Sequence, residues 1–244
     1  AQLVRAKVDI IYTASAEGVS AAKGVTKTTP VVFAAVQDPV GSGLVDSLAR
    51  PGGNVTGMSI MAPDLNGKRL ELLKEVAPRA TKVAFFWSPA SPGAQANYND
   101  TLAAAKFLKL QLLSLEVRGS KDIEGALEVA TKQRAQALST APDPVINNAR
   151  VEIVGFAAKH RLPAIYAAPE FAENDGLMAY APNYGDVWRR SATLVDKILK
   201  GTKPADLPVE QPMKFEFVVN LKTAKQMAFE IPQWTLMKAD RVIK

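Results

Sequence analysis

The 244-residue sequence contains no cysteine and only one histidine, His160. The lack of cysteine excludes disulfide bonds, thiolate metal sites and cysteine nucleophiles, and a zinc site is not expected with a single histidine. Walker Gly-Lys-Ser/Thr, G-x-G-x-x-G and G-x-S-x-G motifs are also absent. His160 falls at the end of a predicted helix, where a cation is favoured for structural reasons. We therefore predict no metal, no cofactor and no catalytic residue.

Long apolar runs and clustered charge are also missing. No run approaches the ~20 apolar residues of a membrane span, and the sequence does not open on a signal peptide. The net charge is +6, but the 30 Lys and Arg residues are dispersed. The densest pairs, Lys68-Arg69 and Arg189-Arg190, fit the solvated faces of two helices. We therefore do not expect nucleic acid as a partner.

The stretch from Val31 to Ser59 predicts a complete strand–helix–strand unit. An apolar strand, Val31–Val36, meets a polar corner at Gln37-Asp38-Pro39. A Gly-Ser-Gly sequence then opens a predicted short helix, Leu44–Leu48, and a second strand follows at Val55–Ser59. In open α/β sheets, ligands bind outside the carboxyl ends of such strands, and helix N-termini offer free N–H groups to anions.

The same alternation of apolar strands and helices continues along the chain. Predicted strands include Val8–Thr13, Lys82–Trp87 and Ala135–Thr140. The clearest amphipathic helix is predicted over Tyr184–Leu199, with Gly201 at the position that follows a helix C-terminus. Continuous apolar strands separated by helices indicate parallel sheets covered on both faces. The fold class is therefore predicted to be α/β.

Several predicted strands end in small or polar residues, which suits a small-molecule cleft. The carboxyl ends of parallel strands share one edge of a sheet, so these corners should converge. They offer hydroxyls, carboxylates and helix-start N–H groups, a set that suits a zwitterion. The corners are Thr13-Ala14-Ser15, Gln37-Asp38-Pro39, Ser88-Pro89, Pro142-Asp143-Pro144 and Ala167 to Glu170.

Each group has a ligand role and a structural alternative. Thr13 and Ser15 suit a carboxylate, and Asp143 or Asp38 suits an ammonium group. The aromatic residues that could cover an apolar ligand side chain are Trp87, Tyr166, Phe171 and Tyr180. Alternatively, an Asp-Pro pair forms only a turn and helix cap, Trp87 is a core residue and Glu170 caps a helix.

Long segments of the sequence resemble the ABC transporter substrate-binding proteins of the tryptophan/tyrosine-binding type. The resemblance covers essentially the whole chain. The segments that carry it are DPVGSGLV (38–45), SLARPGGNVTG (47–57), NGKRLELLKE (66–75), LLSLEVRG (112–119), AAKHRLPAIY (157–166), GLMAY (176–180), ILKGTKPADLPVEQPMKFEFVVNLKTAK (198–225) and ADRVI (239–243).

The resemblance implies a type I periplasmic-binding architecture, with two Rossmann-like lobes that close on a ligand by a hinge. On that template, residues 1–61 plus 183–244 form lobe one and residues 62–182 form lobe two. The crossover segments are expected near residues 61–64, 181–184 and 208–213.

The resemblance also implies the function and the binding residues. The protein would bind a small solute between its lobes, an amino acid with an aromatic or branched side chain, and deliver it to an ABC permease. It would act outside the cytoplasm, in the periplasm or anchored to a membrane, and would not be an enzyme. The implied ligand-binding residues are Thr13, Ala14, Ser15, Gln37, Asp38, Ser59, Ser88, Asp143, Pro144, Ala167 and Glu170.

One departure from the family pattern concerns the start of the chain. Members of the family carry a signal and a strand–helix–strand unit before the equivalent of Ala1, so we expect an N-terminally truncated lobe one. An exposed strand edge there favours pairing with another molecule, as a homodimer or by strand exchange. Two alternative functions remain open on the same doubly wound fold: the ligand-sensing domain of a regulator, or an enzyme.

Overall fold

A computed structural model describes residues 2–60, 64–91 and 93–244, with only the backbone described at residue 64. Its strands are β1 (Ile11–Thr13), β2 (Val31–Val36), β3 (Val55–Ser59), β4 (Lys82–Trp87), β5 (Gln111–Glu116), β6 (Ala137–Thr140), β7 (Ala164–Tyr166), β8 (Met178–Pro182), β9 (Phe215–Asn220) and β10 (Arg241–Ile243). Its α-helices are α1 (Gln2–Arg5), α2 (Ala16–Val25), α3 (Asp64–Val76), α4 (Ala94–Phe107), α5 (Asp122–Lys132), α6 (Pro144–Asn148), α7 (Arg150–Lys159), α8 (Pro169–Glu173), α9 (Tyr184–Leu199), α10 (Leu221–Gln226) and α11 (Gln233–Leu236).

The chain divides into two compact units. The first comprises Ala1–Ala62 and Pro182–Lys214, and the second comprises Pro63–Ala181 and Phe215–Lys244. The fold class predicted from the alternating strand and helix pattern is confirmed, because each unit is built on a mostly parallel sheet with helices on both faces.

The first unit contains a parallel three-stranded sheet in the order β1-β2-β3. Successive residues of β2 point to opposite faces of the sheet. Val31 and Phe33 pack with Val19 of α2, while Val32 and Ala34 pack with residues of α9 on the other face. Burial on both faces explains the continuous apolar run of β2.

A β-bulge interrupts this alternation at Ala35. Its φ is +60°, in the left-handed region, and the β2–β3 register shifts between Phe33 and Val36. Val36 consequently packs in the same core as Phe33, although strict alternation would place it on the opposite face. The bulge therefore turns the side chain of Val36, the last residue of β2, to the same face of the sheet as Phe33, immediately before Gln37 and Asp38.

The two outer strands of this sheet differ in their environment. The outer side of β3 is covered by an extended segment: Glu210 N donates to Gly57 O at 3.0 Å, and Ser59 N donates to Glu210 O at 2.8 Å. Strand β1 is the other edge and pairs only with β2 within the described part of the chain. Pairing of another molecule along β1 stays a prediction.

The second unit contains a seven-stranded sheet in the order β10-β9-β8-β7-β6-β4-β5. A separate hydrophobic core covers each of its two faces, and the side chains of β7 alternate between these cores. Ala164 and Tyr166 point into the core formed with α5, α6, α7 and α8. Ile165 points into the opposite core, with residues of α3 and α4. The pairs β4–β5, β4–β6, β6–β7 and β7–β8 are all parallel.

Three expectations from the sequence differ from the structure. The C-terminal segment was assigned to lobe one, but β9 and β10 extend the sheet of the second unit. In place of the predicted helix Leu44–Leu48, the chain makes bends after a turn in which Gly43 has a φ of +66°. Strand β1 begins only at Ile11, after a turn at Lys7, whose φ is +54°, and a bend at Asp9. The crossover expected at residues 61–64 lies mostly outside the described residues.

Helix α9 was predicted with its exact limits, Tyr184–Leu199. Gly201 ends it in a Schellman motif with a φ of +99°. Its N–H donates to Ile198 O at 2.9 Å, and Thr202 N donates to Lys197 O at 3.0 Å.

Candidate ligand site

In the first unit, three of the predicted site positions follow neighbouring parallel strands at one edge. Thr13 ends β1, Gln37 follows β2 and Ser59 ends β3. Ser59 is fully buried, and its Oγ donates to Gln37 O at 3.0 Å. The structure therefore brings Gln37 and Ser59 together.

Thr13, Ala14 and Ser15 form the start of α2. Ser15 is the N-cap, and its Oγ accepts a hydrogen bond from Gly18 N at 3.0 Å. A Cβ at Gly18 would lie 2.1 Å from Thr13 Oγ1, so the helix start is packed against the end of β1. Ser15 and Ala14 are exposed. The exposed Ser15 hydroxyl and the N–H groups of Ala16 and Glu17, which make no described hydrogen bond, are available to an anionic group.

Asp38 caps the turn that follows β2. Its Oδ1 accepts from Gly41 N at 2.8 Å, and its backbone oxygen accepts from Ser42 N at 3.1 Å. The side chain is half-buried. The turn chemistry expected of an Asp-Pro pair is therefore present, and no described hydrogen bond or ion pair uses Oδ2.

In the second unit, Asp143 is the most constrained of the site positions. It is 3% exposed and is the N-cap of α6, where its Oδ1 accepts from Val145 N at 2.8 Å and Ile146 N at 3.2 Å. Its Oδ2 accepts from the hydroxyl of Ser91. The sequence did not single out Ser91, and this contact joins the loop after β4 to the loop after β6.

The other predicted positions of the second unit differ in exposure. Ser88 is buried directly after β4. Ala167 is buried after β7, and its N–H donates to Thr140 Oγ1 at 3.1 Å. Pro144 is exposed as the first residue of α6. Glu170 is also exposed and lies in the first turn of α8, where a negative charge is favoured by the helix dipole.

The aromatic residues at this edge pack mainly into the protein. Trp87 is 4% exposed, donates from Nε1 to Ser114 Oγ at 2.8 Å and stacks on Tyr98 at a centroid distance of 4.5 Å. Tyr166 and Phe171 are fully buried and stack on each other at 4.5 Å. The core alternative therefore holds for Trp87, and Tyr166 and Phe171 are core residues as well. The half-buried Tyr98 is an aromatic that the sequence did not single out.

Burial changes the ionisation of two tyrosines. It raises the pKa of the Tyr166 hydroxyl, which is surrounded by core residues. It also raises the pKa of Tyr180, where the positive charge of Arg69 acts in the opposite direction and Asp240 adds to the rise. Both hydroxyls are therefore neutral at physiological pH.

The sequence interpretation of Lys68-Arg69 was wrong for Arg69. Arg69 is 2% exposed rather than solvated. Its Nη1 donates to Asn66 Oδ1 at 2.8 Å and its Nε donates to Tyr180 O at 2.8 Å. Asn66, also buried, donates to Asn97 O at 3.3 Å. A buried polar cluster thus connects α3 to α4 and β8. In the sequence, the only indication of it was the three-residue spacing of Asn66 and Arg69, which places both on one face of α3.

Within the described residues, His, Cys, Asp and Glu side chains form no group of three that could hold a metal ion. None of the helices in the described ranges is long and apolar enough to cross a membrane.

Comparisons with known proteins agree with this geometry. The family model described as "ABC transporter substrate binding protein" matches residues 1–243. The chain is 26% identical to the tyrosine-binding protein of Clostridioides difficile, over 93% of this chain and 65% of that protein. The chain thus spans about two thirds of the length of this curated relative.

Two solved structures are similar over 99% of this chain. One is a conserved domain protein from Vibrio cholerae, with 26% identity, a TM-score of 0.92 and 80% of that chain covered. The other is an ABC domain in complex with L-Trp from Streptococcus pneumonia, with 27% identity, a TM-score of 0.91 and 83% covered. Since the family model spans nearly the whole sequence, the chain belongs to the ABC transporter substrate-binding protein family.

Proposed function

We propose that this chain is the solute-binding component of an ABC importer and that its solute is an amino acid with an aromatic or branched side chain. The ligand would be held by the polar edges of the two units and delivered to a permease, outside the cytoplasm. In this role the protein binds and releases its solute and catalyses no reaction.

The observation that carries the proposal is the placement of polar groups at the carboxyl edge of each sheet. In the first unit, the helix start at Ser15 suits a carboxylate, and the half-buried carboxylate of Asp38 suits an ammonium group. In the second unit, Asp143 supplies a buried carboxylate after β6, and Ser88 is buried after the neighbouring strand β4. Similarity to one protein named for tyrosine binding and to one complexed with L-Trp supports the amino-acid class.

Thermal unfolding in the presence of each of the twenty amino acids tests the ligand class. A ligand at about 100 times its Kd stabilises the folded state by roughly 2.7 kcal/mol. We expect clear stabilisation by tyrosine, tryptophan, phenylalanine or a branched amino acid, and none by lysine or aspartate. Isothermal titration calorimetry of the stabilising amino acids then gives stoichiometry and Kd.

The binding groups are tested with charge-removing variants that keep the local turns. Asp38→Asn and Asp143→Asn each retain an oxygen that can cap the following turn, but they remove the negative charge. If either carboxylate pairs with the ligand ammonium, its variant should weaken binding at least tenfold, about 1.4 kcal/mol. Asp196→Asn is the matched control, since Asp196 is exposed on α9 and pairs with Lys200.

A chain that binds none of the twenty amino acids would overturn the proposed ligand class. A solute that is chemically converted would contradict the proposal of binding without catalysis. Delivery to a permease is tested separately, by solute uptake into vesicles that contain the partner permease with and without this protein.

A further inference from the structure

A second concave site lies at the opposite edge of the sheet of the second unit. It is a cavity of about 410 Å³, within the usual size range of small-molecule pockets. Gln136 and Pro163, which line it, come directly before β6 and β7, whereas Asp143 and Ala167 follow the other ends of those strands. The six residues of β4 separate the two edges by roughly 15–20 Å. This cavity is therefore distinct from the polar edge described above.

Two arginines line the cavity without a described partner. Arg79 follows the end of α3 and Arg161 follows the end of α7, and both are exposed. Among the described residues, neither guanidinium makes a hydrogen bond or an ion pair. Of the lining residues, none is Asp or Glu. The cavity thus has two positive charges and no negative charge of its own.

Gln136 adds a fixed donor to this set. Its Oε1 accepts hydrogen bonds from Thr81 N at 2.7 Å, Thr81 Oγ1 at 2.9 Å and Lys82 N at 3.2 Å. Backbone N–H groups can only donate, so they hold the amide in one orientation, with its oxygen toward Thr81 and Lys82. The Nε2 group makes no hydrogen bond with a described residue and remains available as a donor.

The remaining walls are apolar, formed by residues that include Val76, Ala77, Pro163 and Phe229. Guanidinium groups bind carboxylates with two parallel hydrogen bonds, and apolar walls favour burial of a hydrocarbon body. We propose that this cavity binds a small amphiphilic carboxylate, whose charged group contacts Arg79 and Arg161 and whose apolar body lies along these walls.

A purely structural role for the two arginines makes a different prediction. Each follows a helix C-terminus, where a positive charge stabilises the helix dipole. If this were their whole role, replacing them would lower the stability and leave carboxylate binding unchanged. Binding measured by calorimetry, alongside thermal unfolding, separates the two roles.

The experiment uses octanoate as the probe, titrated into the full chain by isothermal titration calorimetry. We expect saturable binding of one octanoate per chain. Octanol, which lacks the charge, and acetate, which lacks the apolar body, should each bind at least tenfold more weakly. The double variant Arg79→Gln/Arg161→Gln should also lose at least tenfold in affinity, and Arg79→Lys/Arg161→Lys should recover part of it because it keeps the charge.

The matched control is Arg118→Gln/Lys121→Gln, which removes two charges from another face of the same unit. Its affinity for octanoate should stay within twofold of the unaltered chain. An equal loss in both double variants would show nonspecific charge attraction and overturn the proposal. It would also be overturned by no saturable octanoate binding, by binding that survives Arg79→Gln/Arg161→Gln, or by competition with the amino acid that stabilises the protein.

Discussion

The hydroxyl of Ser91 donates a hydrogen bond to Oδ2 of Asp143, while the other oxygen of the same carboxylate caps α6. One buried carboxylate therefore fixes the loop after β4, the loop after β6 and the start of a helix. Asp143, which the sequence analysis selected as a ligand contact, thus also stabilises the loops at the carboxyl edge of the second sheet.

The two roles of Asp143 are separated by comparing Asp143→Ala with Asp143→Asn. Alanine leaves two backbone N–H groups and the Ser91 hydroxyl without their acceptor, so we expect a loss of roughly 2–3 kcal/mol in the free energy of unfolding. Asparagine keeps a capping oxygen and should lose about 1 kcal/mol or less. Urea denaturation measures both values, and equal losses in the two variants would contradict the capping role.

The bulge at Ala35 makes an unusual prediction for a strand residue. Left-handed backbone costs a non-glycine residue roughly 1–2 kcal/mol, so Ala35→Gly should leave the stability unchanged or raise it by up to about 1 kcal/mol. Ala34→Gly, at the neighbouring buried position of ordinary φ, should destabilise by about 1 kcal/mol or more. Ala35→Val should destabilise by at least ~2 kcal/mol, since β-branching is poorly tolerated at positive φ. A different rank order in urea denaturation would show that the bulge is unstrained.

Close packing across the first sheet should make Gly57 intolerant of a side chain. A Cβ at this position would lie 2.1 Å from Phe33 O and 2.6 Å from the Phe33 ring. We expect Gly57→Ala to lower the free energy of unfolding by roughly 1–3 kcal/mol. Gly24→Ala is the control, because a Cβ on Gly24 in α2 meets nothing within 4 Å, and this variant should be neutral or stabilising. Similar unfolding midpoints for both variants would contradict the predicted clash.

Tyr166 should make stability depend on pH in the alkaline range. Burial raises the pKa of Tyr166 in the folded protein. Above the ordinary tyrosine pKa of about 10, the unfolded chain therefore loses this proton while the folded protein keeps it. The free energy of unfolding is unaffected by this residue below that pH and falls as the pH rises above it. At pH 10.5, deprotonation of the unfolded chain at this one residue lowers the unfolding free energy by roughly 0.8 kcal/mol.

Tyr166→Phe should remove this contribution while keeping the stack on Phe171. The buried hydroxyl has no hydrogen-bond partner among the described residues, so its removal should be neutral or stabilising by up to about 1 kcal/mol at pH 7. Urea denaturation of both proteins at pH 7 and pH 10.5 checks this. An equal pH-induced loss in the two proteins would show that Tyr166 does not titrate on unfolding.

Strand positions were predictable from the sequence because a strand buried on both faces is a continuous run of apolar residues. Runs such as Val31–Val36 and Lys82–Trp87 match β2 and β4 residue for residue. The polar residues after them were therefore placed at the correct edge of each sheet. By contrast, the sheet that receives β9 depends on contacts distant in sequence, and the local pattern carries no information about it.

Two further features had weak or ambiguous sequence signals. Alanine occurs in every kind of backbone, so nothing at Ala35 signals a positive φ. Arg69 follows Lys68 and resembles part of a charged surface, yet only Lys68 faces solvent, in an exposed pair with Glu71. On a helix, adjacent residues point about 100° apart, so Arg69 does not share the solvent-exposed face of Lys68. The residue that indicates its environment is Asn66, about one turn earlier on the same face.

The division of the chain between the two units has a consequence for its synthesis. The first unit lacks α9 and the segment that covers β3 until residue 214 has been made, and the second unit lacks β9 and β10 until residue 243 has been made. Domains normally fold as units while the ribosome proceeds along the message. Here the segments that cover the first sheet and the last two strands of the second sheet are made late, so neither unit can complete its packing before residues 214 and 243, respectively, have been made.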